Sequence, residues 1–293
     1  MRGTDTGMSL LAPEKTDSAD LCTESWTVET LPPFPAVALR ALNLIAGTHS
    51  SLHDLCDLIG ADPAFTAAVL RLANSPLIGF PKQITSVLQA SMLLGFNRLK
   101  SVVITLGLRA YFEERCTPMV RACWRHSLAC AIVAEQCASA AHLDKDFAHT
   151  AGILHDIGRV AMAASMPRSY ARVLETEAGA SGELLARERE ICGIDHCQAG
   201  LALVQAWNLP VAFGEITYHH HEAQHDFGGV ASLVCSGCLL ADAVGFPVAR
   251  YRAQRTYDEI LAGFPERVRG GLPRGAKDLT AWIKKEIRVI ESA

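Results

Sequence analysis

Two ionisable residues, His155 and Asp156, stand side by side in the otherwise apolar run Ala148–Val160. A neutral imidazole and a carboxylate are good ligands for a divalent cation, and burying both without a partner is costly. Neighbouring residues on a helix point about 100° apart, so both reach one ion only near the edge of their helix. Gly158 can cap or bend the helix at that point and leaves space beside the pair. The plainer reading is a helix end carrying a hydrogen-bonded histidine next to a solvated aspartate. Other residues of ligand type lie elsewhere. His126 shares the inward face marked by Cys123, Cys130 and Cys137. His196 follows Asp195, a run of three histidines spans 219–221, and Asp242 shares a face with Val234, Cys238 and Ala241. Each has an ordinary alternative: a core histidine bonded to a carbonyl at 126, an N-cap at Asp195, a surface histidine run at 219–221. Three consecutive histidines fan round a helix, so at most two serve one site and one faces solvent. Several such residues on separate inward faces make a metal centre a better reading than any one of them does.

The elements that must position these residues read as helices throughout. Residues 1–27 are rich in Thr, Ser, Asp and Gly and read as a mobile tail. Leu31-Pro-Pro-Phe-Pro35 is an extended entry, with Pro35 starting a helix through Val37, Leu39, Leu42 and Ile45. Ser51 caps a second helix, and Asp62-Pro63 caps a third and supplies its first-turn proline. Helical spacing returns over Ser86 to Leu94 and Leu99 to Phe112, separated by Gly95. The expected division is a bundle over 28–115, a second helical domain over 116–245 and an extension over 246–293. In that extension Leu279, Trp282, Ile283, Ile287 and Ile290 recur at helical spacing over Lys284, Lys285 and Glu286. That helix reads as a cover for the core, with a homodimer contact as the alternative.

The order of these motifs resembles the HDOD proteins, HD-related output domains of bacterial signalling. Leu31-Pro-Pro-Phe-Pro, Asp62-Pro63, Arg71-Leu-Ala-Asn-Ser75, Thr85-Ser86 with Gln89-Ala90, and Leu94-Gly95 carry the first part. Gly152-Ile-Leu-His-Asp-Ile-Gly158, Gly193-Ile-Asp-His196 and Tyr218-His-His220 carry the rest. The resemblance implies an all-α fold, with the N-terminal helical bundle packed on a domain like the helical HD phosphohydrolases. It implies a first metal held by His126, His155, Asp156 and Asp242. In relatives with two metals it adds His196 and the His219/His220 pair, with Asp156 as the bridge. Alignment on Glu222 gives His220/His221 instead. A mixed N/O set suits iron, manganese, zinc or nickel better than calcium. The sequence also departs from the pattern. Relatives that hydrolyse cyclic di-GMP carry Gly-Tyr-Pro shortly after the paired histidines, where this chain has Ala223-Gln-His-Asp-Phe-Gly-Gly229. Their lysine after HDxG is Arg159 here, a weak candidate for phosphate contact. Cyclic di-GMP phosphodiesterase activity is therefore not expected.

Composition narrows the function classes. A net charge of −4 over 293 residues argues against general nucleic-acid binding, which needs a concentrated Lys/Arg surface. Arg, Lys, His or Asp interrupts every long apolar stretch, and no signal peptide is visible, so the expected compartment is the cytoplasm. Ten cysteines do not form a disulfide framework and read as small core residues. Cys235-Ser-Gly-Cys238 has the spacing of half a zinc site or a redox pair, but no second CxxC and no βαβ pattern accompany it, so the structural reading is preferred there too. Two functions are compatible with all this. One is a signalling output module with a metal-binding HD-like site, acting through a protein partner. The other is a metal-dependent phosphohydrolase acting on a nucleotide or phosphodiester.

Overall fold

The computed structural model describes residues 24, 26, 27, 40 and 51–292, apart from 76, 77, 82, 114, 115, 176, 223–228 and 253. The expected entry at Leu31–Pro35 and the helix through Val37 and Ile45 lie outside the described residues. The described chain is all-α. Its helices are α1 (Leu52–Gly60), α2 (Pro63–Ala73), α3 (Val87–Glu113), α4 (Pro118–Ala141), α5 (Lys145–Leu154), α6 (Ile157–Ser165) and α7 (Pro167–Leu174). They continue with α8 (Ser181–Cys192), α9 (His196–Ala206), α10 (Val211–His219) and α11 (Val230–Ala243). Two short helices, α12 (Tyr257–Ala262) and α13 (Glu266–Gly270), precede α14 (Ala276–Ser292).

The first motifs turn out to be helix punctuation. Ser51 and Asp54 form a capping box on α1, and Asp62 Oδ1 accepts from Phe65 N at 3.0 Å at the start of α2. Asn74, from the Arg71–Ser75 motif, bridges the loop that follows: its amide oxygen accepts from Ile84 N and its amide nitrogen donates to Ile84 O. Ser86 Oγ then accepts from Gln89 N at the start of α3, and Gln89 Oε1 accepts from Thr85 N. Gly95 breaks α3 with φ +77°, a left-handed conformation in which glycine is at ease, dividing the helix where the spacing predicts.

Val87–Ala110, within α3, is long and apolar enough by composition to cross a membrane. Arg98, Lys100 and Arg109 interrupt it, as expected from the sequence. Slightly more than half of its most apolar window is buried inside the protein, as in a core helix. Glu24 is likewise not part of a free tail: its carboxylate accepts from Ser169 N at 2.9 Å in the first turn of α7. Trp26 packs against the core beside it.

The centre of the molecule is α4, buried on nearly every side. Small residues make that possible. Cys123, Cys130, Ala131, Ala134 and Cys137 are fully buried and let α5 and α11 approach closely. A Cβ at Gly152 of α5 would lie 2.5 Å from Ala131 Cα, so the two backbones touch there. The nine described cysteines are free thiols, as expected for core residues. At the far edge α14 buries Leu279, Ile283, Ile287 and Ile290, the face the spacing predicts; Glu286, expected outside, is buried as well.

Polar contacts tie α3 to this centre. Arg98 Nη1 donates to Glu135 Oε1 of α4 at 2.7 Å, and His149 Nδ1 of α5 meets Glu135 Oε2 at 2.8 Å. Burial alone would raise the Glu135 carboxyl, but His149 and Arg98 outweigh it and hold it down at about 2. A carboxyl depressed in the folded state contributes stability above its unfolded value near 4.5 and loses it as pH falls towards 2. Glu135→Gln is therefore expected to destabilise the protein by on the order of 2–3 kcal/mol at pH 7. In urea melts at pH 7, 5, 4 and 3 the gap from wild type should close below the unfolded value. A gap that stays constant would mean that the charge is not what Glu135 contributes.

Candidate metal centre

The chain between α5 and α6 breaks at the His155-Asp156 pair. Asp156 has φ −108° and ψ 20°, outside the helical range, and α6 restarts at Ile157. The break lets two adjacent side chains face one point. Gly158, expected to leave room for the pair, leaves it for another helix: a Cβ there would lie 2.0 Å from His196 O and 2.7 Å from Gly200 N. Thus α6 and α9 meet backbone to backbone, and His196, at the first position of α9, is carried to Asp156. Asp195 is the N-cap of α9, in a capping box with Gln198. Thr217 of α10 donates to Leu154 O at the break, which holds the end of α10 against the pair.

Four histidines then converge on the two oxygens of Asp156. His126 Nε2 and His155 Nε2 lie 3.5 and 3.6 Å from Oδ2. His196 Nε2 and His220 Nε2 lie 3.4 and 3.3 Å from Oδ1. Each of these rings has its other nitrogen engaged. Nδ1 of His126, His155 and His220 faces the carbonyl oxygens of Phe246, Gly152 and Thr217 at 2.9, 2.7 and 2.8 Å. A carbonyl only accepts, so Nδ1 carries the proton, and the Nε2 lone pairs of His155 and His220 point inward. Burial lowers His126, but Cys238 and Asp242 outweigh it and lift the ring well above the usual imidazole range, so a cation there must displace a proton from Nε2. His196 Nδ1 faces Glu188 Oε2 at 2.6 Å, and His196 N donates to the same oxygen. These are the outer partners that orient metal-binding histidines.

The residues fit a metal. His155 Nε2, Asp156 Oδ1 and His220 Nε2 are buried and have no hydrogen-bond partner, an arrangement that costs free energy unless something fills it. Separations of 3.3–3.6 Å are too long for good hydrogen bonds. They match the roughly 3.4 Å edge of a tetrahedron whose donors stand about 2.1 Å from a metal. His155, Asp156 and His220 form one group able to hold an ion; His126, His155 and Cys238 form another, and His196, Cys197, His220 and His221 a third.

The electrostatics agree. Burial drives His155 down to about 3 and lowers His220, so both rings are neutral. Burial opposes the Asp156 charge, but Arg159 and the histidines hold it ionised, well below the usual carboxylate range. Burial and Arg159 push His196 down, yet Glu188 prevails and lifts it to about 10. A cation bound at His196 Nε2 must therefore displace a proton.

Three expected site residues are placed differently. His219 ends α10 with its side chain exposed, and its Nδ1 pairs with Glu222 at 3.0 Å. The inward pair is His220 and His221, with His221 Nε2 2.9 Å from His196 Nε2. One turn holds only two of three successive rings inside, and the end of α10 selects which. Asp242 reaches His126 on the far side of the ring, Oδ1 to Nδ1 at 3.3 Å, outside the converging atoms. Arg159 is buried, and its Nε lies 2.8 Å from Asp156 Oδ2. It also approaches Tyr170 and Glu188, so it neutralises the Asp156 carboxylate and is not free to meet a phosphate. His219→Ala is expected to leave metal content and stability within about 0.5 kcal/mol of wild type. His221→Ala should weaken one ion, a difference that metal titration would read; equal effects of the two would return the pair to His219/His220.

One contributor escaped the sequence, and another was read from it as a core residue. Glu188 lies in the charged stretch 183–190, but Leu184, Glu188 and Cys192 recur four apart and form the buried face of α8. Cys238 reaches the centre one turn before Asp242 on α11. A cavity of about 350 Å³ opens beside the cluster, lined by His220, His221, Cys238, Asp242, Tyr251 and Arg255 among others.

Comparison with known proteins places this arrangement. A curated relative, an uncharacterised protein of Treponema pallidum (strain Nichols), is 24% identical over 204 residues. That match takes in 68% of this chain, and the chain spans only 39% of the relative's length. An HDOD domain protein of unknown function from Geobacter sulfurreducens shares the fold with a TM-score of 0.65 and 23% identity, covering 90% of this chain and 92% of that one. A "Putative phosphohydrolase" from Shewanella amazonensis SB2B gives 0.61 and 19%, covering 88% and 91%. A "Putative signal transduction protein" from Marinobacter aquaeolei VT8 gives 0.57 and 20%, covering 89% and 58%. At these identities the likeness is one of fold. The HDOD domain model matches residues 31–223, about two thirds of the chain, and the chain belongs to the HDOD family.

Proposed function

We propose that this protein is a signal-transduction output module of the HDOD type, holding one or two divalent transition-metal ions and acting through a protein partner. The observation that carries the metal is the set of inward Nε2 atoms around a single buried carboxylate, with His155 Nε2, His220 Nε2 and Asp156 Oδ1 having no hydrogen-bond partner. His126, His155 and Asp156 would hold the first ion; Asp156, His196, His220 and His221 would hold the second. Iron, manganese, zinc and nickel all suit imidazole and carboxylate donors. Ions there would cross-link α4, the α5–α6 break, α9 and α10. The described helices α1–α3 lean on that framework through α3 and α5, a route by which metal occupancy would reach a surface that a partner reads. The signalling role is supported by the family and by the likeness of fold to the Marinobacter protein.

A second reading, a metal-dependent phosphohydrolase acting on a nucleotide or phosphodiester, is favoured by the cavity beside the cluster and by the fold of the Shewanella protein. Bound ions would there polarise a phosphoryl oxygen. Arg255, which lines the cavity, would serve as the cation for phosphate in place of Arg159. The deciding experiment compares metal-loaded and metal-stripped protein for partner enrichment and for turnover of mono-, di- and cyclic nucleotides. The signalling reading expects a partner whose recovery depends on metal and falls with Asp156→Ala, with no turnover. Rapid metal-dependent turnover without a partner would replace it with the second reading.

A further inference from the structure

We infer that Cys238 is a thiolate ligand of the first metal position, completing a four-donor set of His126 Nε2, His155 Nε2, Asp156 Oδ2 and Cys238 Sγ. The inference rests on the metal-centre reading above and adds to it the sulfur, the closure of the site and the class of metal. Cys238 Sγ lies 3.4 Å from His126 Nε2 and forms, with His126 and His155, a group whose donor atoms all lie within 4.8 Å of one another. A nitrogen about 2.1 Å and a sulfur about 2.3 Å from one tetrahedral ion stand about 3.6 Å apart, close to the separation found. His155 Nε2, fully buried and without a hydrogen-bond partner, is the second observation pointing to a ligand at this spot.

The competing donor on the same helix face is Asp242, four residues later. Its Oδ1 stands 3.3 Å from His126 Nδ1, behind the ring and away from the inward Nε2 atoms. Cys238 is thus the α11 side chain on the inner side of His126. On metal binding the thiol proton leaves to solvent and the sulfur binds as thiolate; no oxidation or other reactant is involved. Two consequences follow. Four protein donors close the position, as in structural zinc sites, so it holds α4, α11 and the α5–α6 break together and leaves exchange with outside ligands to the second position. A thiolate among imidazoles also selects zinc over manganese or magnesium.

The test is zinc-edge X-ray absorption on the full-length protein loaded with zinc, with metal content measured on the same sample. The expected result is a sulfur neighbour at about 2.3 Å. It should be lost in Cys238→Ser and retained in Asp242→Asn and Cys197→Ser, with zinc affinity of Cys238→Ser lower by at least about tenfold. Bound metal with no sulfur neighbour overturns this inference and leaves the metal-centre reading standing. Sulfur lost in Cys197→Ser but kept in Cys238→Ser overturns it too, by moving the ligand to the second position. Absence of bound metal removes both. The wild-type spectrum decides the point even if a variant does not fold.

Discussion

Asp156→Ala is expected to weaken both metal positions at once. Each carboxylate oxygen faces its own pair of histidines, Oδ2 towards His126 and His155 and Oδ1 towards His196 and His220. No other carboxylate among the described residues lies between the two pairs. The same substitution leaves the Arg159 guanidinium buried without its nearest partner. Removing one member of a buried ion pair costs about 3–5 kcal/mol, before any loss of metal-linked stability. For a chain of this length that corresponds to a fall in Tm of roughly 10 °C. His126→Ala should act on one position and spare the other. Metal analysis and thermal melts of the two variants side by side check this; an Asp156→Ala protein that keeps one full equivalent of metal would show that the carboxylate does not bridge.

The second large effect is expected at Gly158. An added Cβ would stand 2.0 Å from His196 O and 2.9 Å from His196 C, both backbone atoms that cannot turn aside. The α6 and α9 backbones would have to separate by about an ångström or more, an overpacking that costs about 3 kcal/mol. His196 would move away from Asp156 by a similar amount, so Gly158→Ala should weaken the second metal position as well as the fold. Gly182→Ala is the control, because a Cβ there meets nothing within 4 Å. It should be neutral or stabilising by up to about 1 kcal/mol. Urea melts and metal titration of both variants test the point, and equal behaviour would refute the close approach of α6 and α9.

How much was legible depended on whether the signal was local. Ser51, Asp62 and Gly95 are read from sequence because caps and left-handed turns are decided by a few neighbouring residues. The inward faces of α4 and α14 are read from spacing for the same reason. His155-Asp156 stood out because charge in an apolar run needs a partner. The choice among His219, His220 and His221 was not readable, since it depends on where α10 ends, and Leu154 and Thr217 set that from two helices. Arg159 follows a glycine and stands where relatives carry a lysine, which suggests a phosphate contact. Only the break at Asp156 turns it inward, where it meets a carboxylate its own chain has just buried. Glu188 was hidden in a charged stretch whose four-residue period is visible only when the other charges are set aside. Asp242 and Cys238 share a face, and the sequence does not say which of them meets the inner side of His126; the position of that ring across α4 and α11 decides it.

The most direct test of the central claim is the metal content of protein purified without a histidine tag, measured by elemental analysis together with the melting temperature before and after chelation. The account predicts one to two equivalents of transition metal per chain, as purified or on reconstitution. It also predicts a lower melting temperature once the metal is stripped, because the emptied cluster leaves His155 Nε2, Asp156 Oδ1 and His220 Nε2 facing one another without partners. No stoichiometric metal, with a melting temperature unmoved by added ions, would contradict it and leave the histidines and Asp156 as a hydrogen-bonded core network.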